Sequence, residues 1–123
     1  MAVGIGIDSV SISELERLVA RSDARARRTF TPAERAQAET RHDAASYLAG
    51  RFAVKEAVAK ALYPHVGTGF DFRAVETVDQ ADGRPQVTID DALRKTLASC
   101  RATEILVSIT NEAGLATAVA LVQ

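Results

Sequence analysis

The run Gly50-Arg51-Phe52-Ala53-Val54-Lys55-Glu56-Ala57-Val58-Ala59-Lys60-Ala61-Leu62 reads as a helix with almost no polar face, yet it carries one carboxylate and three cations. A helix that is apolar nearly all round belongs in a protein interior. Carboxylates and ammoniums enter an interior only when paired or bound to a metal. Glu56 therefore needs a partner. Lys60, one turn on, is one candidate; a hard cation bridging to a bound phosphate is the other. Asp8 adds weight to the second, because it ends a strand-like Val3-Gly4-Ile5-Gly6-Ile7-Asp8 near the start of the chain.

Outward from this helix the chain divides into short elements. The central helix is expected over 43–62, opened by Asp43 and stopped by Tyr63-Pro64 and Gly67-Thr68-Gly69, with a loop over 65–71. Residues 2–8 alternate as a strand, and 11–21 space Ile12, Leu15, Leu18 and Val19 as a helix capped by Ser11 or Ser13. Thr31-Pro32-Ala33-Glu34 has the spacing of a capping box with proline at the first helical position, so a short helix should run to about residue 39. Strands are expected over 74–78 and 85–89, joined through Asp82-Gly83-Arg84. A helix over 91–100 follows, capped by Asp90 or Asp91. A second strand pair then covers 105–109 and 115–122, turning through Asn111-Glu112-Ala113-Gly114. The order β, α, α, α, β, β, α, β, β lacks regular βαβ alternation, which indicates an α+β domain with an antiparallel sheet on the long central helix.

Composition sets the remaining bounds. A chain of 123 residues forms one domain with a real core but has little capacity to wall off a substrate alone, so a site between subunits is expected. A net charge of -1 gives no global signal for nucleic acid or membrane. Locally, residues 17–41 hold Arg17, Arg21, Arg25, Arg27, Arg28, Arg35 and Arg41 against three acidic residues, a segment suited to an acidic partner or simply a solvated surface. Cys100 is the only cysteine, so no intrachain disulfide forms and a reducing compartment is the default. Met1 leads straight into a strand pattern without a signal-peptide layout, and no apolar run approaches the roughly 20 residues of a membrane span. A cytoplasmic protein is expected. His42 and His65 belong to no metal-ligand pattern and read as surface residues, which disfavours zinc.

Taken together, Gly4-Ile5-Gly6-Ile7-Asp8, Phe30-Thr31-Pro32-Ala33-Glu34, the Gly50–Ala61 run, Gly83-Arg84-Pro85-Gln86-Val87 and Val107-Ser108-Ile109-Thr110-Asn111-Glu112 resemble the bacterial holo-[acyl-carrier-protein] synthase family of 4′-phosphopantetheinyl transferases. The blocks follow that family's order across nearly the whole chain. The resemblance implies transfer of the phosphopantetheine arm of coenzyme A to a serine of an apo acyl carrier protein, with release of 3′,5′-ADP. It also implies a homotrimer, because compact members of the family place active sites between neighbouring subunits.

The same resemblance implies Mg²⁺ bound by Asp8 and Glu56 against the pyrophosphate. A hard cation there would relieve repulsion between the incoming oxygen and the diphosphate, keeping water and substrate oxygens as its other ligands. Asp8, Glu56 and Lys60 are the implied catalytic residues. Lys60 would contact a phosphate as a point charge, or else form only an i,i+4 bridge to Glu56, worth about 0.3–0.5 kcal/mol when exposed. Coenzyme A would be held by Arg51, Lys60, Gly69, Arg84, Pro85, Thr110 and Asn111. For Lys55, a solvated or snorkelling side chain competes with a coenzyme A contact. The serine proton would go to Glu56 or to a water on the cation. Glu34 could orient that water, but the Thr31 spacing favours a capping role.

Two positions depart from the family. Its final strand usually carries Ser-His-Glu, where this chain has Thr110-Asn111-Glu112, so no titratable cation is supplied there. The arginine often found six residues after the metal aspartate is replaced by Glu14, which moves the expected carrier-docking cations to Arg17, Arg21 and the neighbouring arginines. A non-catalytic relative that binds carrier protein or coenzyme A, and a transferase domain of a larger fatty-acid or polyketide synthase, are the competing readings.

Overall fold

A computed structural model describes residues 1–67 and 70–123. In order the elements are β1 (Gly4–Ser11), α1 (Ile12–Arg21), α2 (Asp23–Thr29), α3 (Pro32–Glu39) and α4 (Ala44–Val66). A 3₁₀ turn (Phe72–Ala74), β2 (Glu76–Asp79), β3 (Pro85–Thr88), α5 (Asp91–Ser99), β4 (Ile105–Glu112) and β5 (Leu115–Val122) complete the chain. The α+β architecture is the one expected. β1, β5 and β4 form an antiparallel sheet in that order, with Gly4 opposite Val122 and Val122 opposite Ile105. β2 and β3 form a separate antiparallel pair.

The sheet lies on α4 through small residues. Ala116, Ala118, Ala120 and Val122 of β5 are buried at alternate positions, and Ala53, Ala57 and Ala61 of α4 are buried at helical spacing. Gly4 and Gly6 allow the closest approach. A Cβ at Gly4 would lie 2.3 Å from the Ala61 carbonyl oxygen, and one at Gly6 would lie 1.9 Å from that of Ala57. Two residues of strand thus step along one turn of helix, so the next residue on the same face of β1, Asp8, is directed at α4.

Several boundaries differ from expectation for physical reasons. β1 continues past Asp8 to Ser11 because its whole length pairs with β5. Ser11 and Asp90 are the caps of α1 and α5, accepting from the backbone N–H groups of Glu14 and Leu93. α2 has no apolar periodicity and is held by its Ser22 cap and by Ala26 and Phe30 packed inward. α4 runs through Pro64 to Val66. The proline falls in the final turn, where it removes one hydrogen bond, and Gly67, at φ 72°, closes the helix by donating to the Tyr63 carbonyl. His65 and Val66 therefore leave the expected loop for the helix, while Thr68 and Gly69 lie outside the described residues.

The outer edge of β2 is completed by side chains rather than by a strand. Glu34 Oε2 accepts from the Thr77 N–H at 2.9 Å, and Arg51 Nη1 donates to the Thr77 carbonyl at 3.2 Å. Gln37 Oε1 accepts from the Asp79 N–H at 2.8 Å while its Nε2 donates to the Asp79 carbonyl at 3.0 Å. Among the described residues, no helix is long and apolar enough to cross a membrane.

Candidate active site

α4 has three working faces. Gly50, Ala53, Ala57 and Ala61 face the sheet. Arg51 and Lys55 are turned towards α3 and β2. Phe52, Glu56, Lys60 and Tyr63 form the third stripe, spaced at i, i+4, i+8 and i+11. On that third face Glu56, Ala59, Lys60, Tyr63, Gly67, Phe70 and Phe72 line a hollow of about 360 Å³.

Asp8 reaches Lys60 from β1. Lys60 Nζ donates to Asp8 Oδ1 at 2.9 Å and to the Ile7 carbonyl at 2.9 Å. The ion pair of Lys60 is thus made with Asp8 across the strand–helix interface, and not with Glu56 along the helix. Glu56 sits close enough to both to feel them. Partial burial pushes its carboxyl above the ordinary range, the Asp8 charge adds to that rise, and Lys60 opposes it. Asp8 and Lys60 are thus joined directly, and Glu56 lies near enough to both for their charges to act on it. Among the described residues, no group of three or more His, Cys, Asp or Glu side chains gathers as a metal cluster.

The other cations of α4 point elsewhere. Lys55 is wholly buried, so the snorkelling or solvated position is ruled out: its ammonium meets Glu34 Oε1 at 2.8 Å and the carbonyls of Phe72 and Val75 at 2.8 and 2.6 Å. Glu34 caps α3 as its spacing indicated, bonding the Thr31 N–H while Thr31 Oγ1 accepts from the Glu34 N–H. Arg51 is buried too. It pairs with Asp79 Oδ1 at 3.0 Å and lies 4.1 Å from the centre of the Tyr47 ring. Burial pushes the Tyr47 phenol up to about 12, so it stays a donor, and it bonds Gln37 Oε1.

Arg84 and Pro85 line a different hollow, of about 610 Å³, between β3 and the segment Glu104–Ile109 of β4 and its approach. Thr110 and Asn111 follow on β4 with opposite facings and are exposed. Gly69 lies outside the described residues. Both histidines are exposed; His65 Nε2 is 2.9 Å from the Val3 carbonyl oxygen. Arg17, Arg21, Arg25 and Arg28 are exposed on α1 and α2 and, among the described residues, make no ion pair. The aromatic lining of the first hollow was missed at the sequence level. Tyr63 is legible by periodicity, seven residues after Glu56, whereas Phe70 and Phe72 carry no local signal.

Residues 4–120 match the family model described as the 4′-phosphopantetheinyl transferase superfamily. The chain belongs to this superfamily. Its relatives include a holo-[acyl-carrier-protein] synthase from Moorella thermoacetica, 40% identical over 96% of this chain and 91% of the relative. Among solved structures, the superfamily fold is shared with the holo-[acyl-carrier-protein] synthase of Neisseria meningitidis at a TM-score of 0.87 and 34% identity, covering 100% of this chain and 99% of that one. The Helicobacter pylori holo-[acyl-carrier-protein] synthase, solved in complex with coenzyme A, superposes at a TM-score of 0.81 and 31% identity over 97% of this chain and 99% of that one. Within the superfamily frame, Glu56 and Lys60 line one hollow, and the β1–α4 packing joins Asp8 to Lys60 beside it.

Proposed function

We propose that this protein is a holo-[acyl-carrier-protein] synthase. It transfers 4′-phosphopantetheine from coenzyme A to a serine hydroxyl of an apo acyl carrier protein. The serine Oγ bonds to the phosphorus that bears the pantetheine arm, the bond from that phosphorus to the nucleotide oxygen breaks, and adenosine 3′,5′-bisphosphate leaves. The observation that carries the reading is the Asp8–Lys60 ion pair beside Glu56, with Glu56 and Lys60 lining one hollow of a superfamily chain.

The donor set suits Mg²⁺. Asp8 and Glu56 offer hard oxygens; burial, and after it the Asp8 charge, raises the Glu56 carboxyl, and a cation bound by both would offset that rise. When bound, the ion neutralises charge on the diphosphate. Lys60 has two of its three N–H groups directed at Asp8 and Ile7, which aims the third outward as a donor for a phosphate oxygen. In this reading Glu56 would be the chain's own acceptor for the serine proton.

A trimer fits the separation, within one chain, of Lys60 in the hollow beside Glu56 from Arg84 and Pro85 in the second, while Arg51, buried against Asp79, lines neither. The sheet face turned away from α4 carries an open apolar patch, with Ile5 69% and Ile7 61% exposed and Leu106 and Leu121 in the row of Ile5, beside the polar Ser9–Thr117 pair. A neighbouring copy covering that face would bring Arg84, Pro85, Thr110 and Asn111 towards an adjacent Glu56. The acidic carrier docks on the cations of α1 and α2 around Arg17 and Arg21, and its cytoplasmic setting follows from that partner.

Incubation with coenzyme A, Mg²⁺ and apo carrier proteins, followed by weighing the carrier, tests the reading. A gain of one phosphopantetheine that EDTA abolishes is expected. No gain with fatty-acid or polyketide carriers, together with retained coenzyme A binding, would make the protein a non-catalytic binder, a state that Asn111 in place of the usual histidine would suit.

A further inference from the structure

Lys55 immediately precedes Glu56 on α4 but points about 100° away from it around the helix. Its ammonium has three donors and three acceptors: Glu34 Oε1, the Phe72 carbonyl and the Val75 carbonyl. Nothing is left over for a ligand. Glu34 is committed as well, holding the Thr31 and Thr77 N–H groups in addition to Lys55. The buried pair therefore ties the start of α3, the edge of β2 and the turn Phe72–Val75 to the middle of α4.

That turn needs an anchor. Residues 70–75 belong to no strand, and their own bonds, such as Ala74 N–H to the Asp71 carbonyl, stay inside the segment. Among the described residues, Lys55 is the group outside the segment that bonds its carbonyls. The anchored turn presents Phe72 to the hollow beside Glu56 and Lys60, its ring edge-on to Phe52 at 5.6 Å, with Phe70 next to it. Apolar residues could fill the buried space as stably as an ion pair does. They could not aim two backbone carbonyls.

We propose that Lys55, held by Glu34, is a positioning residue for coenzyme A: it fixes the Phe72–Val75 turn and so sets the aromatic wall of the Glu56–Lys60 hollow. The inference rests on the transferase reading above. Lys55 touches no substrate; it acts through Phe72, on affinity for the donor and not on the chemical step.

Two variants test it. Phe72→Ala removes the wall and leaves the ion pair; Glu34→Gln with Lys55→Met removes the anchor without stranding a buried charge. Each is assayed well below its own unfolding temperature, with coenzyme A affinity also measured by calorimetry. Both should raise the KM and Kd for coenzyme A about tenfold, leave kcat within about twofold and leave the carrier KM unchanged. A kcat that falls with the folded fraction at unchanged coenzyme A KM would reduce the pair to a purely structural role. Should the double variant not fold, Phe72→Ala decides, since an unchanged coenzyme A KM there removes the wall from the site. An active parent with unaltered variants overturns the positioning role alone; a parent that neither binds nor turns over coenzyme A takes the transferase reading down as well.

Discussion

Gly6 of β1 and Ala57 of α4 approach so closely that a single added methyl at Gly6 would stand 1.9 Å from the Ala57 carbonyl oxygen. The obstacle is backbone on both sides and cannot swing aside. Gly6→Ala must therefore lift β1 from α4, and Asp8, two residues on, moves with it. We expect a loss of more than about 3 kcal/mol of stability. Denaturant unfolding checks that value. A folded Gly6→Ala protein should also need more Mg²⁺ for half-maximal transfer.

Glu56→Gln separates stability from function. The folded protein holds the Glu56 carboxyl above the ordinary range, chiefly through partial burial and then through the Asp8 charge. The associated stability is present below the unfolded value of about 4.3 and is lost as pH rises through the higher folded value. Wherever Glu56 is ionised and no metal is bound, its charge is thus a burden. Glu56→Gln should raise the Tm in EDTA by a few degrees while abolishing transfer and the Mg²⁺-dependent rise in Tm. A thermal melt with and without Mg²⁺ reads both effects, and a variant less stable than the parent in EDTA would contradict the electrostatic account.

Arg17 and Arg21 are exposed on α1, with the carboxylate of Glu14 on the preceding turn. Reversing both cations to glutamate should raise the carrier KM about tenfold at low salt and leave the coenzyme A KM unchanged. The difference should shrink as salt is raised. An unchanged carrier KM would move the docking surface elsewhere.

The β4–β5 hairpin turns through Ala113 and Gly114, both in the left-handed region at φ 54° and 76°. This two-residue turn favours Asn-Gly, and alanine there is strained. Ala113→Asn should stabilise the protein by about 0.5–1 kcal/mol. A higher urea midpoint at unchanged slope is the expected reading.

Where the fold was legible in the sequence, a local rule sufficed. The Thr31–Glu34 capping box, the apolar run of α4 and the hairpin glycines each depend on neighbours within a few residues. α2 escaped notice because DARARRT has no apolar repeat and owes its helix to the Ser22 cap. The charged residues of α4 were harder for a different reason. Their facing on the helix was evident from spacing, but their partners lie far along the chain: Asp8 for Lys60, Glu34 for Lys55 and Asp79 for Arg51. No periodicity encodes such pairings. Glu34 shows the limit well, since its capping role was readable and its second duty, neutralising Lys55, was not.

The side-chain closure of β2 protects the chain against edge-to-edge pairing. An open strand border invites a foreign strand, and with it runaway polymerisation. Here Glu34, Gln37 and Arg51 already occupy the main-chain groups of Thr77 and Asp79, so an incoming peptide finds no vacant donors or acceptors. The proposed trimer would therefore form through other surfaces, such as the one bearing Ile5 and Ile7, where growth can stop at a closed ring.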